Sequence, residues 1–421
     1  MALMRAAAFA SVLLVVAACS SPSGVTALRS PSTVTVVSPT SVASPSPSPA
    51  ATFPKPVAVT SKTPKPVALS CSSEVPAGAA LALVTFKGST DVVVRDITNL
   101  TKPVSRCVFK SCEAYCKVYG PYFMRFVTAS RISYVDESID GDWAMYLADL
   151  VSHKTNLVRD PGQDSTYIEV VDWSPSGSSL TYVASNRWHV RSAAGDVVLG
   201  PVGNDLGYNF NPDADSRMVG FSPDGQYVAI DQSIDLGTKP APGGGAYLLK
   251  GSVFKVIRLS DKKIVYSRKD GTMAVWAGGG THLYFRVSSG LAEWDPIGGA
   301  RVVVSGLAWI NPTPSSDGTR IAYETINAKG NHFAGQVRLT DQPMKSIPLS
   351  TLPRMGVTFL NPTLVWYAGE TACSGHCPGY GETSDGPSLS GRTYVQDLVT
   401  GTISTSADTT VIDSWPHLGN T

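Results

Sequence analysis

The sequence lacks a cluster of basic residues, and its charges almost cancel. It has 34 Lys and Arg residues against 33 Asp and Glu residues, which gives a formal net charge of +1 over 421 residues. Proteins that bind nucleic acid or acidic membrane surfaces carry basic patches or stripes. The composition therefore predicts no nucleic-acid partner. After residue 19 the chain also has no apolar run long enough for a transmembrane helix.

Familiar catalytic motifs are missing as well. The chain has no Gly-x-Ser-x-Gly nucleophile elbow, and its six histidines form no His-x-x-x-His pair of the kind that binds zinc in peptidases. Long segments with helical periodicity are also absent. We therefore predict an all-β domain with no catalytic residues and no cofactor.

The N-terminus carries a targeting pattern. Arg5 is followed by an apolar stretch from Ala6 to Ala18 that is typical of a secretory signal peptide. The residues Val16-Ala17-Ala18-Cys19 resemble the bacterial lipobox, in which the cysteine is acylated and becomes the new N-terminus. We therefore predict cleavage after residue 18 and lipidation of Cys19. The lipid would tether an exported protein to the cell membrane, facing the extracellular or periplasmic side.

Residues 19–70 are dominated by Ser, Pro, Thr, Val and Ala. Such a composition cannot build a packed core and favours extended polyproline segments. We predict three regions: a signal peptide at 1–18, the lipidated cysteine with a Pro/Ser-rich spacer at 19–70, and a folded domain at 71–421.

Six cysteines follow Cys19, and an even number in an exported domain predicts disulfides. Sequence alone leaves their pairing open, although "CSGHC" and "CVFKSCEAYC" could each hold a local bridge. A metal site is the alternative, but the spacings differ from those of zinc knuckles. The candidates are Cys71, Cys107, Cys112, Cys116, Cys373 and Cys377.

A repeated pattern organises the folded domain. "DWSPSGSSLTYVAS" at 172–185, "GFSPDGQYVAID" at 220–231 and "PSSDGTRIAYET" at 314–325 share an apolar lead, a tight polar turn ending in Gly, and an alternating strand. With looser copies included, the residue before the turn recurs every 38 to 55 residues. These pre-turn residues are Phe126, Trp173, Phe221, Trp276, Pro314 and Phe359.

Each copy is followed by a strand, a polar turn and another strand, which gives a unit of four short strands. One such sheet cannot cover both of its faces, but it can when packed between two neighbours in a ring. We predict a β-propeller of seven four-stranded blades, with six and eight blades as the alternatives. "TTVIDSWP" at 409–416 matches the inner strand "EVVDWSP" at 169–175, so we expect the C-terminal strand to complete the first blade.

The three clearest repeats resemble the WD40-like repeats of TolB-type propellers, which also occur in bacterial lipoproteins and in prolyl-oligopeptidase-type enzymes. The resemblance implies the propeller fold. It does not imply one function, because such propellers serve as generic platforms.

Four insertions are expected on one face of the ring, which we call the loop face. Three lie between strands two and three, at 232–251, 325–335 and 368–391, and the Cys-rich stretch 107–122 lies between two blades. Loops on a rigid scaffold commonly bind ligands. The candidate contact residues are Tyr115, Tyr119, Tyr122, Tyr247, His332, Phe333, His376 and Tyr380.

Two further residue groups have simpler interpretations. The acidic residues Asp136, Glu137, Asp140 and Asp142 could bind calcium, but their spacing is not that of an EF-hand, and a turn is the preferred interpretation. Most tryptophans lie in apolar strand contexts and are expected in the core, with Trp143 and Trp188 the weaker cases.

We interpret the chain as a monomeric, lipid-anchored propeller that serves as a non-enzymatic binding platform for an envelope protein, peptide or polymer. One alternative is a glycan hydrolase or lyase with acids or a metal at the mouth of the central channel. A second is a structural protein of the cell envelope with no specific ligand.

Overall fold

The fold is described from a computed structural model. The structure describes residues 53–54, 57–58, 63, 65–86, 89–110, 121–137, 143–159, 169–184, 187–201, 220–240, 246–269, 272–328, 330–373, 386–406 and 409–418. Every described residue belongs to one compact unit, Ala50–Thr421. This part of the chain folds into strands and turns, and it contains no helix with the length and apolarity needed to cross a membrane.

Seven antiparallel sheets form the blades, each numbered here from its inner strand outward. Blade 1 begins with the last strand of the chain and has five strands, in the order β29 (Thr409–Trp415), β2 (Leu81–Phe86), β3 (Val92–Asp96), β4 (Val104–Lys110) and β1 (Ala68–Cys71). Blade 2 contains β5 (Tyr122–Thr128), β6 (Arg131–Glu137), β7 (Trp143–Asp149) and β8 (Lys154–Arg159). Blade 3 contains β9 (Glu169–Trp173), β10 (Ser179–Ala184), β11 (Arg187–Ser192) and β12 (Gly195–Pro201).

The remaining four blades follow the chain order without crossovers. Blade 4 contains β13 (Gly220–Phe221), β14 (Tyr227–Pro240), β15 (Ala246–Arg258) and β16 (Lys263–Arg268). Blade 5 contains β17 (Thr272–Ala277), β18 (His282–Val287), β19 (Gly290–Asp295) and β20 (Gly299–Ser305). Blade 6 contains β21 (Ile310–Pro314), β22 (Arg320–Ile326), β23 (His332–Arg338) and β24 (Ser346–Pro348). Blade 7 contains β25 (Arg354–Asn361), β26 (Leu364–Cys373), β27 (Gly386–Asp397) and β28 (Ile403–Ser406).

The repeated Ser-Pro-Asp-Gly turn joins the first and second strands of a blade, as predicted. In blade 4 the Ser222 hydroxyl donates to Asp224 at 2.6 Å and accepts from the Tyr227 N–H at 2.9 Å. The same Asp224 carboxylate accepts the Gln226 N–H at 3.0 Å, while Gly225 adopts a φ of 68°. Aspartate and glycine thus satisfy the local backbone and permit the left-handed residue that the turn needs.

Each blade interface contains one apolar cluster, and the strand alternation supplies it. On β7, Ala144 and Tyr146 point into the cluster shared with blade 1, whereas Met145 and Leu147 point into the cluster shared with blade 3. Seven such clusters join the seven blades in a closed ring, from blades 1 and 2 round to blades 7 and 1. Both faces of every sheet are therefore covered, which a single blade could not achieve.

A buried tyrosine on the second strand recurs in five blades, and this regularity was not predicted from the sequence. The hydroxyls of these tyrosines form hydrogen bonds with the third or fourth strand of the same blade or with the segment before β1. The pairs are Tyr134 with the Val67 N–H, Tyr182 with Asp196, Tyr284 with Glu293, Tyr323 with Ser346, and Tyr367 with Gln396. A phenol that reaches a hydrogen-bond partner can be buried at little cost, so this position fixes the outer strands to the inner half of the blade.

The ring closes through the C-terminal strand, as predicted from "TTVIDSWP". β29 pairs with β2 in antiparallel register, from Leu81 opposite Trp415 to Phe86 opposite Thr409. Leu81 and Leu83 of the first blade are completely buried. The last strand of the chain is thus the innermost strand of the first blade.

The outer edge of blade 1 carries an additional strand that was not predicted. β1 pairs with β4, and a disulfide joins Cys71 to Cys107, which lie opposite each other in the register. The preceding Val67 is buried in the interface between blades 1 and 2. The segment that contains Val67 and β1 resembles the Pro/Ser-rich spacer in composition. Only its packing against blade 1 shows that it belongs to the propeller.

We predict that removing residues 409–421 will lower the free energy of unfolding by several kcal/mol, because each apolar side chain that loses its cover costs about 1.5–3 kcal/mol. Urea denaturation followed by circular dichroism measures this change. Removal of 419–421 alone is the control and should leave the transition unchanged. An unaltered midpoint after the longer deletion would contradict closure through β29.

Candidate functional site

The inner strands surround a central channel with a cavity of about 330 Å³ at the end that carries the Ser-Pro-Asp-Gly turns. We call this end the turn face. Its lining includes the predicted pre-turn residues, which pack at the ends of the inner strands. These are Phe126, Trp173, Phe221, Trp276, Pro314 and Phe359.

Two aspartates link neighbouring inner strands across this channel. Asp172 on β9 accepts the backbone N–H of Phe221 on β13 at 2.9 Å. Asp413 on β29 accepts the N–H of Phe126 on β5 at 2.8 Å. In each case the N–H belongs to the pre-turn residue of the following blade. Because the inner strands of different blades do not share a hydrogen-bonded ladder, these carboxylates supply bonds that the sheets do not.

Arg125 connects the two aspartates. Its guanidinium forms an ion pair with Asp172, and the negative charge of Asp413 also acts on it. Burial by itself would lower the pKa of Arg125, but the attraction of Asp172 and Asp413 raises it overall. Gly220 packs directly against Asp172, since a Cβ at position 220 would overlap the carboxylate. Only glycine allows the carboxylate to approach the backbone this closely.

The end of the chain crosses the channel at the turn face. The imidazole Nε2 of His417 lies 3.0 Å from both carboxylate oxygens of Asp413. Leu418 then packs against the cluster between blades 4 and 5, on the far side of the ring from β29. Burial raises the pKa of Asp413, but His417, Arg125 and the Phe126 N–H lower it by more, so the net shift is downward.

These contacts assign the channel groups a role in holding the ring together. Both carboxylates already have a charged partner and a backbone donor. Within the described residues no group of three or more His, Cys, Asp or Glu side chains is arranged to hold a metal ion.

The loop face has a different character, because two hairpins extend beyond the rest of their blades. In blade 4, β14 and β15 pair from Tyr227 opposite Arg258 out to Pro240 opposite Ala246. In blade 7, β26 and β27 pair out to Cys373 opposite Gly386. Both are connections between strands two and three, as predicted for the insertions. Since strands one and two join at the turn face, both hairpins extend from the opposite face.

The structure describes four of the eight predicted contact residues. Tyr122 begins β5, and Tyr247 lies on β15 opposite Lys239 in the blade 4 hairpin. His332 lies 2.6 Å from Glu324, whose carboxylate is buried and also accepts the Gly356 N–H at 2.9 Å. Phe333 beside it is half-buried. The other four predicted residues lie outside the described residues: Tyr115, Tyr119, His376 and Tyr380.

Other predicted residues are placed as follows. Trp143 and Trp188 are buried, so these weaker candidates for the core belong to it. Asp136 is buried on β6, the side chain of Glu137 is not described, and Asp140 and Asp142 lie outside the described residues. Of the cysteines not in the disulfide, Cys373 ends β26, while Cys112, Cys116 and Cys377 lie outside the described residues.

Arg125, Asp172 and Asp413 were not predicted as site residues from the sequence. A signal for the two aspartates was present, because "EVVDWSP" and "TTVIDSWP" share an aspartate shortly before the turn. Nothing in the sequence indicated that Arg125, from a looser copy of the repeat, would lie beside both.

A search of protein-family models finds no match to the chain, and no curated protein matches it. Solved structures do show similarity. TolB from Acinetobacter baumannii is 13% identical, with 77% of this chain and 79% of that chain covered and a TM-score of 0.39. Oligogalacturonate lyase from Vibrio parahaemolyticus is 8% identical, with 68% and 76% covered and a TM-score of 0.44.

Acylaminoacyl peptidase from Pyrococcus horikoshii is 10% identical, with 59% of this chain and 42% of that chain covered and a TM-score of 0.43. The chain thus spans less than half the length of that peptidase. The similar structures include TolB, in agreement with the resemblance of the repeats, but also enzymes. The comparisons therefore concern the fold and not one function.

We predict that Asp413→Asn will lower the free energy of unfolding by about 2 kcal/mol at pH 7, the usual scale for a hydrogen bond to a charged group. The folded pKa of Asp413 is depressed. Its stabilisation is therefore complete above the unfolded pKa of about 3.9 and is lost as the pH falls through the folded value. The difference between variant and wild type should shrink below about pH 4.

Urea denaturation at a series of pH values measures this difference. Asp261→Asn is the matched control, since it removes an exposed aspartate paired with Arg258 and should change stability little. A difference between Asp413→Asn and wild type that is constant from pH 3 to pH 7 would contradict the assigned role.

Proposed function

We propose that this protein is a lipid-anchored, exported propeller that binds an envelope protein or peptide on its loop face. The observation that carries the proposal is the pair of long hairpins on blades 4 and 7. A rigid ring that displays ordered extensions on one face is a common arrangement for binding.

The backbone of these hairpins favours a peptide or protein partner over a polymer without a peptide backbone. In blade 4, β13 pairs with β14 only at Val228 and Ala229, and β16 pairs with β15 only from Phe254 onward. The outer part of the hairpin is therefore two-stranded within the described strands. An unpaired strand edge presents N–H and C=O groups that an extended peptide can complete as an added strand.

The predicted contact residues support the same surface. Tyr247 lies on the blade 4 hairpin, and His376 and Tyr380 lie in sequence between the two strands of the blade 7 hairpin. His332 has a different role in this proposal, because it pairs with the buried Glu324 at the loop end of the blade 6 hairpin, where it lies opposite Ile326. Tyrosine combines a large apolar surface with a hydroxyl and is frequent at binding surfaces.

The N-terminal features supply the location. A cleaved signal peptide, an acylated Cys19 and a Pro/Ser-rich spacer would hold the propeller outside the cell membrane. Two or more acyl chains make a stable attachment, whereas a single chain gives only reversible binding.

We predict that Cys19→Ser will abolish lipid attachment, because the acylated thiol is lost. Metabolic labelling with an alkyne fatty acid and phase separation in Triton X-114 provide the measurement. Wild type should be labelled and enter the detergent phase, and Cys112→Ser should behave like wild type. A Cys19→Ser protein that still carries the label would refute lipidation at this residue.

We predict that shortening the hairpins will remove partner binding without unfolding the ring. In blade 7, replacing residues 369–392 by Asn-Gly joins Ala368 to Thr393, which already pair. In blade 4, replacing 233–252 by Asn-Gly joins the paired residues Gln232 and Val253. A two-residue Asn-Gly turn suits an antiparallel hairpin, so both variants should fold.

Partners retained from envelope extract are identified by mass spectrometry, and each is then tested as a purified protein by calorimetry. The control replaces Ser288-Ser289, the turn of the short blade 5 hairpin, by Asn-Gly and should keep full affinity. We expect at least tenfold weaker binding in one or both shortened variants. Folded variants that both bind like wild type would refute the loop face as the binding surface.

A further inference from the structure

The junction between blades 7 and 1 contains a cavity that the channel and the loop face do not use. Its volume is about 90 Å³, and it lies where the first and last blades of the chain meet. Most of the residues that line it are apolar, and Arg95 is the one ionisable residue among them. The side chains in the lining that carry an N–H or O–H group are those of Arg95, Trp366, Ser404 and Thr405.

Arg95 brings a positive charge into this cavity without a carboxylate partner among the described residues. One terminal nitrogen donates a long hydrogen bond of 3.4 Å to the Pro103 carbonyl, and the guanidinium lies 5.5 Å from the centre of the Phe86 ring. Burial lowers the pKa of Arg95. The adjacent Asp96 is committed elsewhere, since it pairs with Arg106 at 2.6 Å.

Two N–H groups of the residues that line this cavity have no hydrogen-bond partner within the described part of the chain. One is the buried Nε of Arg95, and the other is the indole Nε1 of Trp366, a side chain that is 4% exposed. A buried donor without an acceptor costs about 1–3 kcal/mol, and the cost is greater for a charged group. The residues that line the cavity therefore include a cation and two donors without an acceptor, a combination that suits an acceptor with negative charge.

We propose that this cavity binds a carboxylate group, supplied by a small organic acid or by an acidic side chain or C-terminus of a bound peptide. A planar carboxylate accepts several N–H donors and forms short, strong bonds with a guanidinium. Thr405 in the lining carries a further hydroxyl donor, whereas the Ser404 hydroxyl already donates to the Val395 carbonyl at 3.4 Å. The volume corresponds to about three water molecules, which accommodates a carboxylate with one or two carbons but little more.

The site is independent of the proposed loop-face function. Arg95 lies next to the end of β3, so the cavity is nearer the turn face. It is also built from both ends of the chain, because Ala82, Val84 and Arg95 come from the first blade, Trp366 from the last, and Val411 from the closing strand. A bound carboxylate would add a contact across the junction that closes the ring.

The test is a titration of the mature protein with sodium acetate, at constant ionic strength held with sodium chloride. The indole N–H signals are followed by NMR, and Trp366→Phe assigns the relevant one. We expect a saturable shift of the Trp366 signal, and at least tenfold weaker binding in Arg95→Gln. Arg258→Gln, which removes an exposed arginine paired with Asp261, is the control for net charge and should bind like wild type.

Two short peptides then distinguish the sources, one with a free C-terminal carboxylate and one with an amidated end. Binding of the free acid alone assigns a peptide carboxylate, whereas binding of acetate and neither peptide assigns a small acid. The absence of a saturable shift in wild type would overturn the proposal and leave a water-filled cavity. An equal response to chloride or inorganic phosphate, or an unchanged affinity in folded Arg95→Gln, would also overturn it.

Discussion

Closure of the ring is the constraint on which the rest of the structure depends. Each blade has two apolar faces, as β7 illustrates by sending Ala144 and Tyr146 to one cluster and Met145 and Leu147 to another. A linear array would leave two such faces in water. The pairing of β29 with β2 removes both by making the last strand the inner strand of the first blade. The two ends of the folded domain thereby meet in one sheet.

The inner strands need further contacts because they meet around the channel without a common ladder. Asp172 and Asp413 meet this need by accepting the N–H of the pre-turn residue of the next blade. Arg125 balances their charge, and His417 pairs with the aspartate nearer the chain end. The charged groups that line the channel are therefore paired with one another and stabilise the ring.

Much of the fold follows from local patterns. The Ser-Pro-Asp-Gly turn, the alternating strand and the copy of the inner strand at the C-terminus predicted four-stranded blades and the closing strand, because turn geometry and strand period are short-range properties. The pairing of Cys71 with Cys107 could not be predicted from the sequence, since six cysteines permit many pairings. β1 was not predicted because its composition matches the spacer before it.

Glu324 and Arg95 show that the partners of charged residues could not be predicted from the sequence. Both are charged residues in strands, and neither was predicted as a site residue. Glu324 is buried with His332 and the Gly356 N–H as partners, whereas Arg95 faces a cavity that Trp366 of a different blade completes. Local sequence specified the blades, their turns and their order. The tertiary structure alone decided which groups meet across blades, because Arg95 and Trp366, or Arg125 and Asp413, are far apart in sequence and come together only when the ring closes.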